Sequence, residues 1–358
     1  MGEVVVRRSA QAISTEDMPS VEYEDVEAGR GALATSFTFK EGKSGIRFEP
    51  GDVLYGKLRP YLGNRLEPDF RGVAVGDWWV LAPLSVTSSF LFSLIQSPRF
   101  VTVANQSSGS KMPRADWKLV GSAAFGIPSL PEQHCIGEFF STLDSLIAAA
   151  ERQEVLLRQK KQAYLQLMFP QEGENEPRLR FAGFSRKWEQ RQLEELVSNG
   201  IIALKRGDVI PRQTGRYPVY SSSAAKDGLF CTSDSFMFDQ ELVTWSIDGG
   251  GKPFYRPRHR FSVTNVCGYA LIRNPQTFTY RFLGLAMDRA WTRAHFDYSS
   301  KAHPSVIEKM YILLIPSLPE QHRIGAFFST LDSLIAYAEK RTASLRALKS
   351  AYLQRMFV

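Results

Sequence analysis

Several fragments of catalytic signatures occur in the sequence, and each fails on a residue its chemistry requires. Asn274-Pro-Gln-Thr-Phe is the nearest approach to the Asn/Asp-Pro-Pro-aromatic string that holds an amino group for methyl transfer. It departs from that string at the second proline and in its spacing, and it reads as a turn. Gly249-Gly-Gly-Lys252 lacks the leading glycine of a phosphate-cradling loop and is followed by Pro253, where Ser or Thr would hold magnesium; Gly42-Lys-Ser fails in the same way. The histidines make no metal-binding pattern: His134 and His322 are equivalent positions, His295 and His303 lack cysteines at ligand spacing, and His259 sits in a basic loop. Asp52, Asp239 and Asp248 have no neighbouring acidic-lysine cluster, so strand-end turns account for them better than a nuclease centre does.

Binding chemistry has more support. Affinity for DNA comes largely from Lys and Arg neutralising phosphates, and specificity from side chains that reach base edges. In the first part of the chain the candidates are Lys40, Lys43, Arg47, Lys57, Arg59, Arg65, Lys111 and Arg114. In the second they are Lys205, Arg206, Arg212, Arg216, Lys252, Arg256, Arg258, Arg260 and Lys301, interleaved with Tyr217, Tyr220, Trp245 and Tyr255. Two loops combine serine hydroxyls, lysine and proline just ahead of a helical run: Ser107-Ser-Gly-Ser-Lys-Met-Pro-Arg114 and Tyr298-Ser-Ser-Lys-Ala-His-Pro304.

The chain of 358 residues carries a formal charge of +7, and its distribution is uneven. Residues 1–126 hold 14 basic and 14 acidic side chains, net 0; residues 171–314 hold 20 and 15, net +5. The basic excess belongs to the second half. A length above the usual single-domain size predicts two or more domains. Cys135, Cys231 and Cys267 are too widely spaced for a disulfide framework or a zinc knuckle. Without a signal-peptide pattern or an apolar run of membrane-spanning length, the expected location is the cytoplasm, with no membrane partner.

The strongest signal is an internal repeat. Residues 127–170 and 315–358 are identical at 31 of 44 positions without a gap, both opening Ile-Pro-Ser-Leu-Pro-Glu-Gln-His. Apolar residues in each copy alternate at steps of three and four, with Ile136, Phe139, Leu143 and Leu146 answered by Ile324, Phe327, Leu331 and Leu334. That spacing predicts a heptad seam on a long helix running from near Pro131 or Pro319 to about Met168 or Met356. A narrow seam needs a partner, and the other copy is the nearest. Ahead of each helix, residues 1–126 and 185–314 are rich in β-branched and aromatic runs such as Asp52–Tyr55, Trp78–Leu81, Leu242–Trp245 and Tyr269–Ile272, which suit strands of mixed α+β domains. Residues 171–184 open with an acidic stretch that reads as a linker. The frame repeats while the globular parts diverge.

Gly51-Asp-Val-Leu-Tyr-Gly-Lys-Leu-Arg-Pro-Tyr-Leu62 and the Ile-Pro-Ser-Leu-Pro-Glu-Gln string before each helix resemble the specificity subunit of type I restriction-modification enzymes. So do Arg178-Leu-Arg-Phe-Ala-Gly-Phe-Ser-Arg-Lys-Trp-Glu-Gln, Lys205-Arg-Gly-Asp-Val-Ile-Pro, Tyr217-Pro-Val-Tyr-Ser and Thr264-Asn-Val-Cys-Gly. The resemblance covers essentially the whole chain. It implies two target recognition domains (1–126 and 185–314), each reading half of a split site in double-stranded DNA. It also implies that the conserved helices (127–170 and 315–358) form an antiparallel coiled coil in a pseudo-two-fold, circular arrangement. Under it the helices dock two methyltransferase subunits, restriction subunits can join, and S-adenosylmethionine belongs to the methyltransferase, this chain being non-catalytic and binding no cofactor or metal. The alternatives are the specificity subunit of an orphan or phase-variable methylation system without restriction, and a non-catalytic coiled-coil scaffold. One departure from the pattern concerns the arm Trp188-Glu-Gln-Arg-Gln-Leu-Glu-Glu-Leu: Met1-Gly-Glu-Val aligns only with its end, so an equivalent first arm is missing. Exchanging residues 1–126 for another such domain is expected to change one half of the recognised site; altering both halves, or neither, in a methylation-site map would refute modular reading.

Overall fold

The computed structural model describes residues 1–38, 40–106, 112–222, 225–294 and 301–357. The fold is mixed α+β and separates into two compact units, residues 1–153 with 338–358, and residues 154–337. Each unit comprises one globular segment and parts of both long helices, so packing divides the chain inside those helices.

Unit 1 opens with β1 (Val5–Arg8), β2 (Gln11–Ile13), β3 (Ser20–Val21), β4 (Ser44–Phe48), β5 (Val53–Gly56), β6 (Arg65–Leu66), β7 (Gly72–Ala74) and β8 (Trp78–Pro83). These build two four-stranded sheets, in the orders β1-β8-β5-β6 and β2-β4-β7-β3. Three short helices follow, α1 (Ser88–Leu94), α2 (Pro98–Ala104) and α3 (Trp117–Ser122), and then α4 (Leu130–Leu167). Thr87, Ser97 and Asp116 start the short helices by accepting from backbone N–H groups of the first turn, which would otherwise be unsatisfied. Trp78, Trp79, Val80 and Leu81 are all buried, as a central strand covered on both faces requires.

Unit 2 contains β9 (Glu189–Gln192), α5 (Leu193–Ser198), β10 (Ile202–Arg206), β11 (Tyr217–Tyr220), β12 (Leu229–Ser233), β13 (Phe238–Ser246), β14 (Pro253–Val263) and β15 (Cys267–Ile272). After these come α6 (Tyr280–Arg293), α7 (Pro304–Met310), β16 (Ile312–Ile315) and α8 (Leu318–Met356). The main sheet has the order β10-β15-β13-β14-β11-β12, and β16 pairs with β9. Its β10-β15-β13 core repeats the β1-β8-β5 core of unit 1, with antiparallel pairing throughout. Among the described residues of unit 1 no strand answers β9, and residues 124–127, the counterparts of β16, run as coil. There the Met1 ammonium donates to the Ala123 carbonyl at 2.8 Å.

The repeat has a contact-by-contact meaning. In unit 1 the buried Gln133 accepts from the backbone N–H of Thr87 at 2.9 Å and donates to the Pro128 carbonyl at 2.9 Å. In unit 2 the buried Gln321 accepts from Thr279 N–H at 3.2 Å and donates to the Thr277 and Pro316 carbonyls. Thr87 and Thr279 are themselves the N-caps of α1 and α6, bonded to Phe90 N–H and Phe282 N–H. Thus one amide side chain ties the start of each long helix to the start of a helix in the globular segment. Gly137 permits the same close approach, since a Cβ there would lie 2.1 Å from Ser89 Oγ.

Ion pairs repeat as well. Lys349 Nζ lies 2.5 Å from Asp144 in unit 1, and Lys161 Nζ lies 2.6 Å from Asp332 in unit 2. Phe139 and Tyr352 meet edge-to-face at 4.9 Å, as do Tyr164 and Phe327. In both units partner numbers fall along α8 as they rise along α4, so the paired stretches run antiparallel.

Two faces of each helix are used. Phe140 and Phe328, one position beyond the expected Phe139 and Phe327, are fully buried and join the globular cores, while Phe139 and Phe327 make the helix-to-helix contacts. Ile136, Leu143, Ile324 and Leu331 are buried as expected of a seam, but Leu146 and Leu334 are exposed. The heptad reading misplaces these two because it assigns one apolar stripe to a helix that divides its apolar residues between two neighbours. No described helix is long and apolar enough to cross a membrane. Replacing Gln321 by Ala strands the Thr279 N–H at the α6 cap, and is expected to cost about 1–3 kcal/mol in denaturant unfolding; an unchanged midpoint would show the clamp to be energetically idle.

Candidate nucleic-acid interface

In unit 2 the start of β11 and the neighbouring middle of β14 carry an exposed group of cations and rings. Arg260 Nε lies 3.2 Å from Asp239 Oδ2, and its guanidinium donates to Tyr217 Oη at 3.3 Å. The same guanidinium sits 5.0 Å from the Phe236 ring centroid and 5.9 Å from that of Tyr217. Arg258 reaches Asp239 at 3.6 Å and remains 76% exposed. Hydrogen bonds from Arg260 and then Arg216 hold the Tyr217 phenol below its ordinary pKa by favouring the phenolate. A surface of this composition suits a phosphate backbone with adjacent bases, because exposed ion pairs are weak, about 0–1 kcal/mol, and exchange readily for phosphate. Phe236, 41% exposed, is the member that sequence reading misses. Its aromatic neighbours Phe230 and Phe238 make it resemble an ordinary strand residue, and only the packed structure shows which ring faces out.

Other residues marked in the sequence divide into exposed and structural groups. Lys205 and Arg206 are exposed at the end of β10, where Arg206 donates to the Asn265 carbonyl at 3.0 Å. Arg212 lies over the Phe230 ring at 5.6 Å. Lys301 is exposed beside Asp248 at 3.4 Å, and Lys252 packs over Phe254 and Trp291. Tyr255 is half-buried under Arg281, and burial pushes its phenol up to about 12.

Two residues proposed for DNA contact belong to the interior. Trp245 is completely buried, with its indole N–H donating to the Ala302 carbonyl at 2.8 Å. Arg256 is also buried: its guanidinium lies 3.8 Å from the Tyr220 ring centroid and donates to Thr244 Oγ1 and the Asp227 carbonyl. Desolvation lowers its pKa, so rings and carbonyls replace the water that a surface arginine would keep. Tyr220, stacked on that cation and hydrogen-bonded to His259 at 3.1 Å, is part of the same support. Composition cannot separate these residues from Arg258 and Arg260, two and four positions away.

In unit 1, Lys57 and Arg114 share Asp77 at 3.5 and 3.0 Å, and the exposed Arg59 lies between Lys57 and the exposed Tyr61. Lys40 is a different case: Glu22, Glu24 and Asp25 each approach its ammonium within 3.0 Å. Hydrogen bonds to Glu24, then Asp25 and Glu22, push its pKa up, so it is a structural cation at the base of a loop. Lys43 bonds Glu22 at 3.3 Å and Arg47 bonds Glu49 at 2.6 Å. Lys111 lies outside the described residues, as do residues 107–110 and 298–300 of the two serine-containing loops. Among the described residues no group of three His, Cys, Asp or Glu side chains is arranged to hold a metal ion.

Residues 185–347 match the family model described as the type I restriction modification DNA specificity domain. That match spans the second globular segment and most of the second long helix, less than half of the chain. A putative type I specificity subunit of Mycoplasma pneumoniae is 29% identical over 124 residues, covering 34% of this chain and 40% of that protein. A second from the same organism is 28% identical over 131 residues, covering 36% of this chain and 35% of that protein. The chain thus spans well under two thirds of the length of these curated relatives. Its fold matches the crystal structure of a type I restriction-modification S subunit from M. genitalium with a TM-score of 0.68, at 14% identity, over 100% of this chain and 94% of that one.

Replacing Arg258 and Arg260 by Ala is expected to weaken DNA binding and to lower the slope of log affinity against log salt by roughly two, about 0.9 per lost phosphate contact. Arg256→Ala is expected instead to lower unfolding stability by about 2 kcal/mol, by stranding buried acceptors. A salt-slope change confined to the Arg256 variant would reverse the assignment.

Proposed function

We propose that this chain is the DNA-reading subunit of a type I modification or restriction-modification complex. Each globular segment reads one half of a bipartite site in double-stranded DNA. The helices form an antiparallel coiled coil that spaces the two readers in a pseudo-two-fold arrangement, on half-sites about one helical turn, roughly 34 Å, apart. The observation that carries this reading is the repeated frame under unlike heads. Gln133 and Gln321, Asp144 and Asp332, and Lys349 and Lys161 make matching contacts, whereas the exposed side chains of the two globular segments differ. Such a design suits a protein that holds two different recognition surfaces in a common mount.

The chain acts by binding. Adenine methylation falls to two methyltransferase subunits, which bind S-adenosylmethionine and dock on the helices, where Leu146, Val155, Leu156, Leu334 and Tyr337 are exposed apolar residues. Restriction subunits join where the system cleaves as well as methylates.

Mixing the purified chain with its methyltransferase subunit and S-adenosylmethionine, and mapping methylated adenines across a random-sequence DNA library, tests this directly. A split motif with a non-specific spacer is expected. Methylation without a motif, or failure to assemble, would favour a protein-binding scaffold.

A further inference from the structure

Phe236 stands at the surface of unit 2 in the turn between β12 and β13, and that turn is fastened through its backbone. Ser233 Oγ lies 3.2 Å from Ser235 Oγ, and it accepts from Ser235 N–H at 3.2 Å and from Gln213 Nε2 at 2.8 Å. Thr232 Oγ1 accepts from Gly215 N–H at 2.8 Å. A Cβ on Gly215 would collide with the Ser233 carbonyl carbon, so the 213–215 loop packs directly against the turn. On the other side of Phe236, Met237 N–H donates to the Phe261 carbonyl at 3.0 Å and reaches Ser262 Oγ at 3.1 Å. Anchors before and after it leave the Phe236 backbone little freedom.

Side-chain contacts hold the ring as well. It meets the Tyr217 ring edge-to-face with centroids 5.1 Å apart, and the Arg260 guanidinium lies over it at 5.0 Å. Arg260 is itself tied to Asp239 at 3.2 Å and to Tyr217 Oη at 3.3 Å. Yet 41% of Phe236 remains exposed. A lone exposed apolar side chain is ordinary. This one is braced among the groups whose affinity for phosphate would bring DNA onto it.

The feature belongs to the part of the chain that varies. β13 runs nine residues where its counterpart β5 runs four, and part of the added length leads out of the Phe236 turn. Phe236 and Arg260 lie outside the strings that resemble type I specificity subunits, whereas Tyr217, which braces the ring, lies inside one. That division suits a common support carrying a target-specific reader.

Contacts from arginine to phosphate place a protein on the duplex and carry no sequence information. An uncharged ring adds nothing to them. Its chemical complement in the major groove is the 5-methyl group of thymine, the apolar feature displayed there. Insertion between base steps is the other use of such a ring, but it needs both ring faces free, and Arg260 covers one.

We infer that Phe236 is a specificity-determining residue that packs against the 5-methyl group of a thymine in the half-site read by residues 185–314. This rests on the reading of the chain as a DNA specificity subunit. Because turn and ring are ordered before binding, little freedom is lost on contact.

The test begins with a methylated-site map on the random-sequence library, made with the full chain and its methyltransferase and comparing the native chain with Phe236→Ala and Phe236→Leu. One thymine position of that half-site is expected to become degenerate in Phe236→Ala and to persist in Phe236→Leu, which keeps an apolar contact. The other half-site stays unchanged in both, which shows that the variants fold and assemble. Binding of the native complex is then measured on sites carrying uracil at each thymine of that half in turn. A loss of about four-fold is expected at one of them, the worth of one buried methyl group, and no such loss for Phe236→Ala. The salt slope stays the same in all three chains, since no charge is removed. A half-site without a T·A pair, a native complex indifferent to uracil, an unaltered motif in Phe236→Ala, or a uracil penalty that survives in that variant would overturn the inference. If the native chain directs no split motif, the failure lies with the specificity-subunit reading and the inference falls with it.

Discussion

A single buried amide at the first turn of each long helix holds this architecture together. Gln133 and Gln321 each accept a backbone N–H from the capping threonine of a helix in the globular segment, and each donates to the chain entering its own helix. Every polar atom of the amide has a use, so it fixes geometry that apolar packing alone would leave adjustable. The aromatic contacts build outward from it: Phe140 with Phe357 in one unit, Phe328 with Phe169 in the other. Because the clamp uses backbone groups and one capping hydroxyl, it places almost no demand on the rest of the globular segment. Surfaces can diverge above it while the helix angle stays fixed.

The electrostatics follow a related division of labour. Cations that hold the fold are either surrounded by carboxylates, as Lys40 is, or buried among rings and carbonyls, as Arg256 is. Those at the surface share one acid among several bases: Asp77 between Lys57 and Arg114, Asp239 between Arg258 and Arg260. A shared counterion leaves net positive charge at the surface and keeps side chains ordered without binding them tightly. A polyanion can then displace the acid at little cost.

Much of the scaffold was legible in the sequence. The 44-residue repeat placed both long helices within a few residues of their ends, because proline at the first turn and sustained apolar spacing are local signals. The strand runs at Asp52–Tyr55, Trp78–Leu81, Leu242–Trp245 and Tyr269–Ile272 fall on β5, β8, β13 and β15, all rich in β-branched and aromatic residues. What stayed hidden depends on neighbours distant in the chain. Trp245 and Phe236 are both aromatic residues in strand-like runs, yet one lies under Ala302 and the other faces solvent. Arg256 and Arg258 are two positions apart on one strand and would share a face, but a bulge in β14, where Gln240 pairs with His259 and Leu242 with Arg256, breaks the alternation between them. A heptad pattern likewise cannot show that a helix serves two partners, which is why Leu146 and Leu334 were assigned to a seam that does not bury them.

Unit 2 is made of one unbroken run, residues 154–337, whereas unit 1 joins residues 1–153 to residues 338–358. Leu353 and Phe357 lie in the same core as Phe90, Phe100 and Phe140. Synthesis proceeds from the N-terminus, so the first-made part of unit 1 must wait for the whole of unit 2 before its core can close. During that interval Phe90 and Phe140 lack their last neighbour, and Asp144 lacks Lys349. The segment made first is therefore completed last, and a released chain ending before residue 338 would carry a finished second unit behind an open first one.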